Sequence, residues 1–447
     1  MLRDFFAYFL APLDPVQLVM LIQSTVVLMG SWNYWFWLVI LFAMTRLHVP
    51  ALMVWVLNMV RPSLFRGAPW DDRARAPLIS AVIASRNEST RIEGTIRSLL
   101  ACGYRNLEII VVDDGSIDDS VQRMRRFASS PRVKICPLRQ HSGKPSALNR
   151  GMSVAQGEYI LVLDADTEVQ VGSLQHLLGP MRDPDVGAVT GVIRVRNADK
   201  SLATWYQDAE YSVGLSIPRS WRAALNILGI MPGGFALFRR AVFRDLGGFD
   251  TGLGDDTDVT LRARKMGWKL RFTAEAVSWT NVPTTFRALY RQRRRWERNM
   301  IKIRLRKQGD LLFFSDFWNN LGRLKFQPRY GWATWLVGLD TYVLRLALPW
   351  LYFSGAAFIL ITDPGRIAVL LTVLYWISLF FSLIKLLVAR DVTGQPVPKR
   401  FLIIPLLPFL RLSLRLVVFA AQAQELLRIN IKHGYVPDRI WQETPHW

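Results

Sequence analysis

An α/β domain set between membrane-spanning helices is the fold class the sequence predicts, and three observations predict it. Of 447 residues 51% are apolar and mean hydropathy is +0.17, too high for an ordinary soluble protein, although the middle of the chain is rich in charge. The apolar residues gather in long blocks toward the two ends. Between those blocks, short apolar runs alternate with helix-like stretches, the pattern of a parallel sheet with covering helices.

The first apolar block, residues 16–60, is interrupted by Ser31-Trp32-Asn33-Tyr34 and by Arg46 and His48. A crossing needs about 20 residues, so residues 1–62 are expected to hold two transmembrane segments joined by an uncharged turn; one span and an interfacial helix is the alternative. The start, Met1-Leu2-Arg3-Asp4, lacks the basic segment and small-residue cleavage site of a signal peptide, and none is expected. Arg61, Arg66, Arg73 and Arg75 crowd the far flank, which by the positive-inside bias puts the following domain in the cytoplasm. Residues 308–335 mix Phe313, Phe314, Phe317 and Trp318 with Arg and Lys, the pattern of interfacial amphipathic helices, with a helix packed on the protein surface as the alternative.

Residues 336–421 are expected to carry about three further transmembrane segments, near 342–362, 367–389 and 401–421. The last contains Arg411, Arg415, Pro405 and Pro408, so it spans the bilayer, lines a protein-buried path or lies flat. A tail, residues 422–447, follows and is too short for a cyclic-dinucleotide domain. The predicted location is the inner (plasma) membrane, multi-pass, in contact with the lipid bilayer.

The formal charge of +21 raises the question of nucleic acid. Much of the excess lies in membrane-flanking Arg and Lys and in residues 291–307, just before the C-terminal apolar segments, so no nucleic-acid partner is expected. Cys102 and Cys136 fall in the polar middle without metal-ligand spacing and read as free thiols in a reducing compartment.

The polar middle, residues 77–307, reads as one domain. Three apolar runs, 78–83, 107–112 and 159–163, end respectively in Ser85-Arg86-Asn87-Glu88, in Asp113-Asp114-Gly115-Ser116 and in Asp164-Ala165-Asp166. Helical stretches are predicted at 91–100, 117–127 and 146–154. Ligands bind outside the carboxyl ends of parallel strands, and all three polar loops fall at that edge.

Each loop has a chemical reading and a structural one. Asp164 and Asp166 are separated by one residue at the end of a buried strand, where unpaired charge is costly; oxygen ligands so placed suit Mg²⁺ or Mn²⁺ bridging phosphates, whereas a solvated loop would need no metal. Asp113 and Asp114 stand where a nucleotide base meets the backbone, or cap the next helix. Lys144, after Gly143, offers an ammonium to phosphates or is a surface lysine. Asp256, in Asp255-Asp256-Thr257-Asp258, is the candidate general base for an acceptor hydroxyl, with N-terminal capping as the alternative for all three acids. On a helix, Gln292, Arg295 and Trp296 share one face, where Arg grips a diphosphate and Trp offers a platform to a sugar ring, while Arg293, Arg294 and Arg298 need only flank a membrane.

At these residues the chain resembles the membrane-embedded processive family 2 glycosyltransferases, the cellulose, chitin, hyaluronan and poly-N-acetylglucosamine synthases. The resemblance covers residues 80–299 and rests on Ala84-Ser85-Arg86-Asn87-Glu88, Val112-Asp113-Asp114-Gly115-Ser116, Gly143-Lys144 leading to Ala147-Leu148-Asn149, Asp164-Ala165-Asp166, Gly233-Gly234-Phe235 to Phe238-Arg239-Arg240, Asp256-Thr257-Asp258 and the Gln292 to Trp296 tag. It implies a GT-A (Rossmann-like) cytoplasmic domain that uses a UDP-sugar donor and inverts to a β-linkage on a polysaccharide acceptor, with the polymer passed outward. It further implies donor contacts from Asn87, Glu88, Asp113, Asp114, Lys144, Asp164 and Arg295, and Asp164 and Asp166 at a Mg²⁺ or Mn²⁺ ion. Asp256 would be the base, with acceptor contacts from Phe235, Asp255, Gln292 and Trp296.

The chain departs from that pattern at Asp255, often Glu in such enzymes, at residues 280–286, where relatives often carry Glu on both sides of the proline, and after Trp296, where Glu297-Arg298-Asn299 lacks a glycine. Transfer of one sugar to a lipid-linked acceptor, and a non-catalytic export scaffold, are the other readings. Partner proteins for secretion or regulation are left open.

Overall fold

The computed structural model describes residues 35, 37, 40, 49–61, 67–71, 75–250, 255–315, 327–394 and 401–427. The expected first pair of spans therefore lies largely outside the described residues, as does the tail beyond residue 427; of the first block, Val49–Val60 is a helix.

The polar middle opens with four strands, β1 (Ile79–Ser85), β2 (Leu107–Asp113), β3 (Val133–Pro137) and β4 (Tyr159–Asp164). They pair in parallel in the order β3-β2-β1-β4. β1, β2 and β4 read as continuous apolar runs because both faces are covered. Ile79, Ala81, Ile83, Ile109, Val111, Leu161 and Leu163 face one core, with Ile92, Ile96 and Leu99 of the Ile92–Leu100 helix. Val82, Ile110, Val112, Ile160 and Val162 face the other, with Ala147 and Leu148 of the Lys144–Val154 helix. The alternation is the period of two of a pleated strand.

The remaining strands make the sheet mixed rather than purely parallel. β5 (Thr167–Val169), β6 (Val186–Val195), β7 (Phe235–Arg239) and β8 (Lys269–Thr280) extend it to eight strands in the order β3-β2-β1-β4-β7-β6-β8-β5. β7 is antiparallel to both β4 and β6, and β8 is parallel to β6. Hydrophobic periodicity carries no sign of strand direction, so the reversal at β7 was not legible. Its consequence is local: Phe235, the first residue of β7, lies opposite Leu163, so the loop before β7 arrives at the acidic end of β4.

Three helices, 332–362, 367–393 and 403–426, are long and apolar enough to cross a membrane. In the expected amphipathic region, the described residues form a short turn, Gly309–Leu312, and a ribbon pairing Phe314–Ser315 with Gln327–Pro328, before the next helix starts at Trp332. The last helix, Leu407–Leu426, packs alongside Phe286–Ile301, which carries the Gln292 to Trp296 tag: Tyr290 Oη meets Ser413 Oγ at 2.9 Å and Gln422 Nε2 donates to Glu297 at 2.8 Å.

A crossed pair of hydrogen bonds ties the second core to the loop that precedes the Asp255–Lys265 helix. Asn149 Nδ2 donates to the Phe249 carbonyl and the Phe249 amide donates to Asn149 Oδ1, both at 2.8 Å. Replacing Asn149→Ala leaves two backbone groups unpaired and is expected to destabilise the purified chain by about 1–3 kcal/mol in chemical or thermal unfolding. An unchanged transition would mean that this pair does not hold the loop.

Candidate active site

The parallel register brings the polar loops together. Ser85 pairs with Asp113 and Ala84 with Asp164, so β1, β2 and β4 finish level with one another. β8, parallel to β6, ends at Thr280 on the same edge, and the Thr280 hydroxyl donates to Asp166 Oδ1 at 3.2 Å.

At the β1–β2 side the carboxylates organise the loops. Asp113 accepts from the Ser116 amide at 3.0 Å and its hydroxyl at 2.5 Å, a turn closed by its own acid. Asp114 is buried and accepts from the amides of Ser142 at 2.6 Å and Gly143 at 3.0 Å, with His141 Nδ1 at 2.8 Å. Asn87 sits at a positive φ of 54°; its amide donates to Ser116 Oγ at 2.9 Å and its Oδ1 accepts from the Ile117 amide at 3.0 Å. The Glu88 amide donates to Ser120 Oγ at 2.8 Å, and its carboxylate pairs with Arg91 at 3.1 Å. Burial raises the Glu88 carboxyl above the usual range, Arg91 opposes this, and the charges of Asp164 and Asp118 add to it. His141 and Arg91 were not among the residues predicted for the site. Only the nearness of His141 to Gly143-Lys144 hinted at it, because its partner Asp114 is 27 residues away.

At the end of β4, Lys144 Nζ meets Asp164 Oδ1 at 2.7 Å. Gly234, in the loop before β7, packs on the same carboxylate: a Cβ there would fall 2.7 Å from Asp164 Oδ2. Asp166 is pushed up to about 6, chiefly by burial and then by the charges of Asp164 and Glu88. Three acids thus share one electrostatic neighbourhood, with Arg91 and Lys144 as the cations beside them.

Asp256 is joined to this edge through backbone. Its carbonyl accepts from Thr260 Oγ1 at 2.6 Å, and Thr260 Oγ1 accepts at 2.8 Å from the amide of Met231, three residues before Gly234. Its own carboxylate accepts from the Thr257 amide at 2.7 Å, a contact with the next residue in the first turn of the helix. Asp258, 1% exposed, is committed elsewhere: Arg262 at 2.8 Å, Lys307 at 2.9 Å and Gln308 at 2.9 Å surround it. Asp255 opens the helix, and its side chain lies outside the described ones.

The tag connects from the other side. Buried Arg219 feels the charge of Asp256 and of Tyr211; burial lowers it to about 10. The guanidinium of Arg293 lies 6.0 Å from the Tyr211 ring centroid, pairs with Glu210 at 2.6 Å and stacks 4.3 Å from the Trp296 centroid. Trp296 is left 41% exposed. Gln292 Oε1 is buried and has no hydrogen-bond partner among the described residues. Arg295, half-buried, is on the same helix. Phe235 is different: its ring is fully buried in the core beneath Asp164, so it supports the strand end and lines no surface.

A mixed sheet with acids at its strand ends and apolar helices after it has the architecture of the GT-A glycosyltransferase fold. The glycosyl transferase family 2 profile matches residues 80–247 of this chain. The chain is similar to the poly-beta-1,6-N-acetyl-D-glucosamine synthase of Staphylococcus epidermidis, 29% identical over 54% of this chain and 57% of the relative. The chain therefore spans little more than half the length of these synthases. A probable glycosyltransferase of Bacillus subtilis, YdaM, is 26% identical over 90% of this chain and 98% of its own. Among solved structures, a mannosyltransferase from Pyrobaculum calidifontis in complex with GDP-Man and Mn²⁺ covers 89% of this chain and 100% of its own with a TM-score of 0.61; at 21% identity it speaks for the fold.

Asp166 also sets a pH dependence. Its folded value lies above that of an unfolded aspartate, so the stability it contributes is complete below about 4 and is lost as pH rises through about 6. Asp166→Asn carries no such charge and is expected to unfold at a higher temperature than the parent at pH 8, in chelator, with the difference vanishing near pH 4. Parallel pH curves for the two proteins would place the burden on another group.

Proposed function

We propose that the chain is an inverting polysaccharide synthase that transfers a sugar from a UDP-sugar to a growing β-linked polymer and passes the polymer across the plasma membrane, with its catalytic domain in the cytoplasm. The observation that carries this reading is the level finish of β1, β2 and β4, which gathers Glu88, Asp114, Asp164 and Asp166 at one edge. The names of the relatives make UDP-N-acetylglucosamine the first donor to test.

In this reading Asn87, Glu88, Asp113 and Asp114 hold the loops that receive the uridine. Lys144 and Arg295 supply positive charge to the diphosphate. Asp256 accepts the proton of the acceptor hydroxyl as its oxygen bonds to the anomeric carbon and the bond to UDP breaks, which inverts that carbon without a covalent intermediate. Trp296 and Gln292 seat the acceptor, with Asp255 beside them. Among the described residues no three His, Cys, Asp or Glu side chains form a metal cluster. The donor set of Asp164 and Asp166 fits Mg²⁺ or Mn²⁺ bound through two carboxylates and substrate phosphates, and such an ion would neutralise the departing diphosphate.

The full chain, purified and supplied with a panel of labelled nucleotide sugars, is expected to release UDP and to build product that linkage-specific hydrolases digest. Product one sugar long would favour a lipid-linked acceptor, and no nucleotide release would leave only the scaffold. Asp256→Asn should abolish transfer while UDP affinity stays within a few fold; normal turnover in that variant removes Asp256 from the role. Asp166→Ala should lose the metal dependence of UDP binding. Trp296→Ala should shorten the product more than it weakens UDP binding, and an unaltered length distribution would argue against the platform.

A further inference from the structure

One cluster of charge, buried at Lys385 and half-buried at Arg411 and Arg415, has no part in the sugar-transfer reading. Lys385, in the Pro364–Thr393 helix, is 7% exposed and makes no hydrogen bond or ion pair with any described residue. The charges that bear on it most are those of Arg411 and Arg415, on the neighbouring Leu407–Leu426 helix. Arg411 donates to Ser382 Oγ at 2.5 Å, one turn before Lys385, and the Arg415 guanidinium lies 5.8 Å from the Tyr352 ring centroid. The Tyr206 phenol lies in the field of both arginines.

The described residues offer little to neutralise them. Glu210, the acid that Arg411 feels, is engaged by Arg293 at 2.6 Å. Asp391 is exposed, and residues 15–70, which include the expected first spans, contain no Asp or Glu. Clustered cations in an apolar setting are costly unless paired, and between membrane helices they mark a ligand. The contact between Tyr290 and Ser413 falls between Arg411 and Arg415, so the cluster sits where the catalytic domain meets the apolar helices, the level at which headgroups meet a membrane-bound domain.

We propose that Lys385, Arg411 and Arg415 form a binding site for a phosphate-bearing anion, supplied by the headgroup of an anionic phospholipid. Arginine takes a phosphate through two parallel N–H donors and lysine adds a point charge, so the ligand provides the counter-charge that the described residues around the cluster do not.

The test follows thermal unfolding of the full chain in detergent with added phosphatidylcholine, phosphatidylglycerol or inorganic phosphate. Phosphatidylglycerol is expected to stabilise the parent more than phosphatidylcholine does. Lys385→Met and Arg415→Gln should each lose most of that difference, while Arg390→Gln, which removes an exposed cation from the same helix, keeps it. In phosphatidylcholine alone Lys385→Met should unfold above the parent, because a buried repulsion is gone. A shift reproduced by inorganic phosphate assigns the site to a soluble phosphate instead of a lipid. Equal stabilisation of the parent by both lipids, retention of the difference in both cluster variants, or its equal loss in Arg390→Gln would overturn the site.

Discussion

The register of the parallel strands is the constraint on which the rest of the molecule depends. Because Ser85, Asp113 and the Ala84–Asp164 pair end level, side chains far apart in the chain meet on one edge. That register is held by two cores at once: alternate residues of β1, β2 and β4 enter opposite clusters, and a slip of one residue would exchange them. The reversed strand β7 then carries Gly234 onto Asp164, and the parallel β8 carries Thr280 onto Asp166.

The edge is electrostatically loaded. Burial raises Asp166 and Glu88, the charge of Asp164 adds to both, and Lys144 meets Asp164 directly. An arrangement of this kind favours the arrival of positive charge, while the other acids are satisfied by neighbouring amides and side chains. Asp113 and Asp114 spend their oxygens on Ser116 and on residues 141–143, and Asp258 on Arg262, Lys307 and Gln308. Acids that look alike in the sequence therefore divide into those that organise loops and those that share the half-buried edge.

The tag helix is fastened to the last apolar helix by buried charge. Glu425 meets Arg298 at 3.2 Å and Arg306 at 3.0 Å, and Glu297 receives Gln422 at 2.8 Å. Pairs of this kind contribute little net stability compared with an apolar substitute, but removing one partner strands the other, so they specify a position. Arg298 thus fastens the helix, and the departure from the family pattern after Trp296, Glu297-Arg298-Asn299, becomes intelligible as the seam with the last apolar helix.

The α/β domain, the apolar helices after it, the strand ends and the acids upon them could all be read from the sequence, because each is announced locally: by a period of two, by length of apolar run, or by polar residues that terminate such a run. The direction of β7 could not, since an apolar strand reads the same both ways. Nor could the burial of Phe235, the pairing of His141 with Asp114, the ribbon within residues 308–335 or the gathering of Lys385 with Arg411 and Arg415. These depend on which surfaces meet, and residues 27 to 127 apart, as in His141 with Asp114 and Arg298 with Glu425, become neighbours only when the cores that carry them are packed.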